Sequence, residues 1–179
     1  MLISNEWLKD YVDVNQSVQD LAEKITRTGI EVDDIIDYTK DIKNLVVGHV
    51  VSKSTHPDAD KLNICQVDLG EEEPVQIVCG APNVDEGQYV IVAKVGGRLP
   101  GGVKIKRAKL RGERSEGMIC SLQEIGISSH VTPKAFENGI FVFPTEVTPG
   151  TDALEALYLN DQVMEFDLTP NLSLIHISE

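Results

Sequence analysis

The residues best suited to bind a charged ligand lie between positions 94 and 114, where basic side chains are concentrated. The segment holds eight lysines and arginines and a single acidic residue, Glu113. The basic residues are Lys94, Arg98, Lys104, Lys106, Arg107, Lys109, Arg111 and Arg114. Such clusters neutralise phosphate groups and release the counterions that surround a nucleic acid. The composition therefore predicts contact with a polyanion, and a solvated charged hairpin is the alternative interpretation.

The formal net charge of the whole chain is −13, which argues against contact with a polyanion. Residues 1–38 hold 3 basic and 9 acidic side chains, residues 39–148 hold 13 and 14, and residues 149–179 hold none and 6. The positive surplus is thus local, and salt screens the acidic remainder beyond a Debye length of about 8 Å. Aromatic platforms for stacked bases are scarce, with only Tyr89 and Phe136 between residues 45 and 137. We therefore expect recognition of a folded RNA by backbone charge and shape.

The sequence gives little indication of a metal site or a catalytic site. His56, Asp58 and Asp60 are spaced like a hard-metal or acid–base cluster, but Pro57 and Asp58 are typical of a turn that leads into a strand. We expect no metal site and no catalytic residue here. The three cysteines lack zinc-ligand spacing and lie in apolar runs, which predicts buried free thiols and a reducing cytoplasm. No apolar stretch approaches the ~20 residues of a membrane span.

Short segments rich in valine and isoleucine, separated by glycine or polar turns, occupy the middle of the chain and must position the basic residues. The predicted strands are 45–51, 62–69, 75–78, 89–95 and 103–110, with 118–120 and 140–143 as closing strands. In the fifth strand, alternation places Lys104 and Lys106 on one side and Ile105 on the other. The pattern predicts a small closed β-barrel, with an open sandwich as the main alternative.

The two ends of the chain predict a second domain. A short helix capped by Ser4 should bury Trp7 and Tyr11, and a longer one should run from Ser17 to Gly29. A strand over 30–38 follows, and a helix and a strand come after Pro149–Gly150. We therefore predict a discontinuous α+β domain, residues 1–38 plus 149–171, into which a domain of residues 39–148 is inserted. Residues 172–179 are expected to be a non-native or truncated tail, with a genuine edge strand as the alternative.

Four motifs carry a family resemblance: His-Pro-Asp-Ala-Asp-Lys-Leu (56–62), Ile-Val-Cys-Gly-Ala-Pro-Asn-Val (77–84), Leu-Pro-Gly-Gly (99–102) and Gly-Met-Ile-Cys-Ser (117–121). They resemble the tRNA-binding OB-fold domain found in structure-specific tRNA-binding proteins, some methionyl-tRNA synthetases and the bacterial phenylalanyl-tRNA synthetase β subunit. The sequence around residues 1–12, 28–32 and 163–171 is similar to that β subunit in particular. The resemblance implies an α+β protein in which a five-stranded OB-fold β-barrel is inserted into a small discontinuous domain.

The resemblance also implies a function: a noncatalytic tRNA-binding portion of phenylalanine-tRNA ligase, a cytoplasmic α2β2 enzyme that uses ATP and magnesium. Neither cofactor is expected to bind this part. The implied partners are tRNA, the α subunit and the remainder of β, with no membrane. The RNA-facing edge would comprise Lys53, Lys61, Arg98, Lys104, Lys106, Arg107, Lys109 and Arg111. The alternatives are a stand-alone tRNA-binding accessory protein and a protein assembly module without RNA contact.

Overall fold

The computed structural model describes residues 1–168, so the predicted tail at 172–179 lies outside the described residues. Contacts between Cα atoms divide the chain into two compact units. The middle unit is Lys40–Tyr158, and the outer unit combines Met1–Thr39 with the described residues from Leu159 onward. The fold is mostly sheet with few helices.

Short strands alternate with a few short helices along residues 1–168. In chain order, the strands are β1 (Leu2–Ser4), β2 (Glu31–Asp37), β3 (Lys43–His56), β4 (Ala59–Asp68), β5 (Val75–Cys79), β6 (Tyr89–Leu99), β7 (Val103–Lys104), β8 (Ala108–Leu110), β9 (Glu113–Ser115), β10 (Gly117–Ile119) and β11 (Gln162–Asp167). The helices are α1 (Asn5–Lys9), α2 (Val18–Arg27) and α3 (Ala153–Ala156), with 3₁₀ turns at Pro100–Gly102 and Lys134–Phe136.

The outer unit is an antiparallel sheet in the order β1-β11-β2, with α2 packed on it. Ser17 caps α2 by accepting from the Asp20 N–H at 3.1 Å, and Gly29 has a φ of 105° just beyond the helix end. These local signals explain why the sequence predicts this helix well. The fully or nearly buried core consists of Val18, Ala22, Met164 and Phe166.

The expected burial of Trp7 and Tyr11 is wrong. Ser4 does cap α1, accepting from the Trp7 N–H at 3.0 Å, but the helix ends at Lys9. A helix this short presents only one turn to its sheet, so Trp7 stays 55% exposed and Tyr11 69% exposed. Their rings instead contact each other edge to face, with centroids 5.3 Å apart.

The middle unit contains a sheet in the order β10-β6-β3-β4-β5, and β7 pairs with the far end of β6. Its core includes the fully buried side chains of Val67, Ile77 and Val92. The two edge strands approach each other where the Glu116 N–H donates to the Gln76 carbonyl at 2.8 Å. Within residues 1–168 this contact does not extend into a ladder between β5 and β10, so the pairing does not close a complete barrel.

Two predicted segments are arranged differently from expectation. The strand predicted over 103–110 is interrupted at residues 105–107, between β7 and β8. The helix after Pro149 lies in the middle unit, since the Val47 N–H donates to the Thr151 carbonyl at 2.8 Å and α3 packs against β3. Contacts therefore place the later boundary at Leu159 rather than at Pro149.

Candidate nucleic-acid interface

The strands β8 and β9 form a tight hairpin that carries much of the basic cluster. Its two-residue loop is Arg111–Gly112, and both residues have positive φ, 47° and 100°. Positive φ at both positions is what a type I′ turn requires, and that turn matches the twist of paired strands. Lys109 faces Arg114 across the hairpin, and both are exposed.

The preceding segment is held by close backbone contact with β6. Arg98 pairs in register with Lys104. The backbone of Ile105 bonds both to the Gly96 N–H at 2.8 Å and to the Gly97 carbonyl at 2.9 Å, and its side chain is buried. A Cβ on Gly97 would lie 2.8 Å from the Lys94 carbonyl oxygen and 2.9 Å from that of Lys43, so the packing of β6 against the start of β3 requires glycine here. Because Ile105 points inward, its neighbours Lys104 and Lys106 point to solvent, as the sequence alternation predicts.

The other predicted residues lie on neighbouring strands. Lys53 is on β3 and Lys61 is near the start of β4, and both are exposed. Arg107 lies between β7 and β8.

Carboxylates of the chain itself engage some of these cations. Lys53 Nζ lies 3.6 Å from Asp85 Oδ1, and Arg107 Nε lies 3.4 Å from Glu116 Oε1. Lys94, from the same basic cluster, pairs with Glu71. Among the described residues, the remaining predicted cations make no salt bridge: Lys61, Arg98, Lys104, Lys106, Lys109 and Arg111. The five of these between 98 and 111 (Arg98, Lys104, Lys106, Lys109 and Arg111) are called the cationic edge below.

The turn between β3 and β4 contacts the tip of the hairpin. His56 is buried, with 3% of its surface exposed. Its Nδ1 accepts from the Asp58 N–H at 3.0 Å, and its Nε2 lies 3.1 Å from the Leu110 carbonyl oxygen. In return, Arg111 Nη1 donates to the Asp58 carbonyl at 3.3 Å. Both polar atoms of the imidazole therefore serve structure, and they tie two segments that are far apart in sequence.

A groove of about 740 Å³ lies beside the hairpin. Its lining includes the basic Lys104 and Lys106, the apolar Leu110, Met118 and Ile140, and the acidic Glu124 and Glu137. Asn83 fixes Ile140, because its side-chain amide both donates to and accepts from the Ile140 backbone at 2.8 and 2.9 Å. Sequence reasoning missed this groove, since residues distant in sequence must meet to form it. The Gly-Met-Ile segment is the one local signal that marks it.

The cysteines do not offer a nucleophile. All three are free and buried. Burial raises the pKa of the Cys65 thiol to about 11 and that of Cys120 to about 12, and it also raises the pKa of Cys79. The reactive thiolate is therefore almost absent at neutral pH. No helix among residues 1–168 is long and apolar enough to cross a membrane.

Known proteins resemble most of the chain. The phenylalanine–tRNA ligase beta subunit of Staphylococcus epidermidis (strain RP62A) is 90% identical over 171 residues, which are 96% of this chain and 21% of that subunit. The corresponding subunit of Staphylococcus aureus (strain Mu50) is 82% identical over the same length. The chain thus spans about one fifth of the length of these curated relatives. Among solved structures, the C-terminal domain of Plasmodium vivax p43 matches 64% of this chain and 61% of its own, with 25% identity and a TM-score of 0.44.

The family comparison covers the part of the chain that carries the hairpin, the groove and the cationic edge. The model of the putative tRNA binding domain matches residues 45–152, which is more than half of the sequence. The chain therefore belongs to the putative tRNA-binding domain family.

Proposed function

We propose that this chain is a noncatalytic tRNA-binding portion of a phenylalanine–tRNA ligase β subunit and that its cationic edge contacts RNA phosphates. The observation that carries the proposal is the set of five exposed cations, without carboxylate partners among the described residues, inside the segment that matches the tRNA-binding family. The high identity to named β subunits supports the choice of enzyme.

The lack of internal partners matters because a cation already paired with a carboxylate attracts phosphate less. Exposed pairs contribute little to folding, typically ~0–1 kcal/mol, but each partner cancels a charge in the local field. Lys53 and Arg107 are partly compensated in this way. We therefore give the five residues of the cationic edge the main role, Lys61 a supporting one, and Lys53 and Arg107 the weakest.

The groove adds a second kind of surface to the proposed site. Lys104 and Lys106 line it together with the apolar side chains of Leu110 and Met118. Phosphate contacts position a nucleic acid, and contacts to bases add discrimination. We propose that an unpaired nucleotide places its phosphate near these lysines and its base against the apolar side chains.

For the fold, we propose that the middle unit is a five-stranded OB-fold barrel inserted into the discontinuous outer domain. The support is the strand order β10-β6-β3-β4-β5 and the hydrogen bond from Glu116 N–H to the Gln76 carbonyl where the two edge strands meet. A further support is that β11, late in the chain, lies between the early strands β1 and β2.

For the intact protein, we propose the ligase activity that its relatives' names state, in an α2β2 assembly that uses ATP and magnesium in the cytoplasm. The proposed partners are the α subunit and the remainder of β. Aminoacylation is assigned to other parts of that assembly. We assign a binding role to the described residues of this chain.

The test is charge reversal on the cationic edge. The triple variant K104E/K106E/K109E should abolish tRNA binding in a gel-shift titration, because three proposed phosphate contacts are replaced by three negative charges that repel phosphate. Each phosphate contact adds roughly −0.9 to the slope of log affinity against log salt concentration for duplex DNA, and we expect folded RNA to behave similarly. The wild-type chain should bind tRNA weakly and lose affinity steeply between low and physiological salt. Circular dichroism should show an intact sheet.

The outer unit offers a matched control. The variant K9E/K24E/R27E makes the same change in net charge on the three basic residues of residues 1–38. It should weaken binding only slightly, through the long-range field. Equal losses in the two triple variants, or unchanged binding by the first, would remove the cationic edge as the site. Wild-type tRNA affinity in both variants would place RNA binding elsewhere on the chain, whereas no measurable binding by the wild-type chain at low salt would favour the assembly-module alternative.

A further inference from the structure

We propose that His56 is a positioning residue for RNA binding: it holds the tip of the β8–β9 hairpin so that the cationic edge presents a fixed surface. The inference rests on the proposed function for its consequence, but its structural part stands on the hydrogen bonds around the imidazole. His56 itself is too buried to contact RNA, because only 3% of its surface is exposed.

The proton arrangement of the ring follows from its neighbours. The Asp58 N–H points at Nδ1 from 3.0 Å, so Nδ1 must be the acceptor. The neutral ring then carries its proton on Nε2, which donates to the Leu110 carbonyl at 3.1 Å. Leu110 is the last residue of β8, directly before the Arg111–Gly112 loop. One side chain therefore shapes the β3–β4 turn and binds the hairpin at the same time.

A second contact runs in the opposite direction. Arg111, in the hairpin loop, donates to the carbonyl of Asp58 in the turn at 3.3 Å. A carbonyl leaves the guanidinium charge uncompensated and most of its N–H groups unused. Arg111 can therefore bind the turn and still attract a phosphate, unlike Arg107, whose charge faces a carboxylate.

The hairpin needs stabilising contacts at its tip because its strands are short. β8 and β9 have three residues each and pair with one another in a separate two-stranded sheet. An isolated hairpin of this kind is only marginally stable in water. Strand β9 is anchored to β5, because Ser115 Oγ accepts from the Val78 N–H at 3.0 Å and Gln76 Nε2 donates to the Arg114 carbonyl at 2.9 Å. His56 supplies the corresponding contact for β8 at the tip, where Lys109 and Arg111 lie.

Two substitutions separate the two hydrogen bonds of the His56 imidazole ring. H56N keeps an oxygen that can accept from the Asp58 N–H, as asparagine does in turns, but it is too short to reach Leu110. H56Q carries an amide donor and acceptor on a longer stem and can restore the contact to Leu110. We expect trypsin to cut H56N between residues 104 and 114 about tenfold faster than wild type, because the tip of the hairpin opens more often once the hydrogen bond to the Leu110 carbonyl is lost. H56Q should be cut at close to the wild-type rate.

Binding should follow the same pattern. H56N should bind tRNA about five- to tenfold more weakly at low salt, with a shallower salt dependence, since fewer cations meet phosphates at once. H56Q should rescue both. The matched control is T132V, which removes another buried hydrogen bond, from Thr132 Oγ1 to the Ser128 carbonyl at 3.1 Å, outside the hairpin. T132V should lower the melting temperature without changing hairpin cleavage or the salt dependence.

The outcomes distinguish this inference from the proposed function. If H56N and T132V behave alike in cleavage and binding, His56 only stabilises the fold and the inference is overturned. It is also overturned if K104E/K106E/K109E abolishes binding while H56N changes neither readout. H56N can speed cleavage of the hairpin while neither H56N nor K104E/K106E/K109E alters tRNA affinity. That result would support the contact between His56 and the hairpin and contradict the proposed RNA contact.

Hydrogen exchange of the wild-type chain covers the case in which H56N does not fold. The Asp58 amide, which donates to His56, and the amides of residues 113–115 should show similar protection, because one opening event exposes both segments. Free exchange of the hairpin amides beside a protected Asp58 amide would overturn the inference.

Discussion

The outer unit and the middle unit differ most in how their exposed charges are distributed. The described outer residues hold 3 basic and 12 acidic side chains, whereas the middle unit holds 13 and 16. Two of the three outer cations, Lys9 and Arg27, pair with glutamates on their own helices. In the middle unit, five cations gather without such partners over fourteen residues, 98–111. Local distribution, more than the net charge of −13, therefore decides where a polyanion can bind.

The units also differ in what their exposed apolar groups do. In the outer unit, Trp7 on α1 and Tyr11 just beyond it form an exposed aromatic pair. In the middle unit, the apolar side chains beside the cationic edge line a groove. Among the described residues, cations without a carboxylate partner line a concave surface in the middle unit. The pocket of the outer unit is lined instead by the carboxylates of Glu23, Asp33 and Asp34, with Arg27 paired to Glu23. We therefore assign binding of a polyanion to the middle unit.

The largest expected effect is a loss of stability in the outer unit that leaves tRNA binding by the middle unit unchanged. M164A removes a fully buried side chain from the small outer core and should lower the free energy of unfolding by about 2–5 kcal/mol. Because the cationic edge belongs to the middle unit, tRNA affinity at low temperature should stay at its wild-type value. Urea denaturation and gel shift measure the two quantities.

The counterpart of that variant in the middle unit is I77A, which empties an equally buried position. It should lose stability by a similar amount and also weaken tRNA binding, because β5 lies beneath the groove. If M164A weakens binding as much as I77A, the functional division between the units is wrong.

A smaller effect should separate cations with and without a carboxylate partner. K106A removes an exposed cation of the cationic edge, whereas K94A removes a lysine that pairs with Glu71. We expect K106A to lower tRNA affinity about fivefold and to reduce the salt slope by about one. K94A should change both less, since its charge is already offset. Equal effects would show that pairing does not select the binding residues.

Arg111, in the hairpin loop, tests whether a residue that favours RNA binding is kept at a cost in stability. Arg111 has a φ of 47°, a conformation that costs a long side chain roughly 1 kcal/mol and that asparagine adopts readily. R111N should raise the free energy of unfolding by about 0.5 kcal/mol, because the better turn outweighs the loss of the exposed contact to Asp58. It should nevertheless weaken tRNA binding severalfold. Reduced stability with unchanged affinity would contradict this view of Arg111.

The smallest expected effect lies on the outer unit. W7A should change the free energy of unfolding by less than about 0.5 kcal/mol, because the ring is 55% exposed. A buried tryptophan would lose about 3–5 kcal/mol instead. A thermal melt decides between these values, and a large loss would mean that the aromatic pair belongs to the outer core after all.

Local signals in the sequence predicted the elements whose stability is local. The caps at Ser4 and Ser17 and the glycine at 29 act within one helical turn, so they can be read without knowing the fold. The starts of β3, β4, β5 and β6 were predicted within three residues for the same reason, although β3 and β6 extend beyond their predicted ends and the strand predicted over 103–110 is broken. Burial of Trp7 was not, because it depends on how much of a five-residue helix its sheet can cover.

The longer-range features required the structure. The helix at Ala153–Ala156 was expected beside the amino-terminal segment, yet the backbone of Thr151 bonds to Val47 in the middle unit. The segment predicted as one strand over 103–110 is divided between two partners: Ile105 bonds to Gly96 and Gly97 beside β6, whereas β8 pairs with β9. Thr151 and Val47, like Ile105 and Gly96, are distant in sequence.

The amino-acid sequence by itself determined where positive charge accumulates, because side-chain charge is a property of the residues and their spacing. It also determined which short segments become strands and turns, since those preferences act over a few residues. Only the tertiary structure decided which cations lack a carboxylate partner and what holds them in place. Glu116 reaches Arg107, and His56 reaches Leu110 across 54 positions, only after the strands between them have paired.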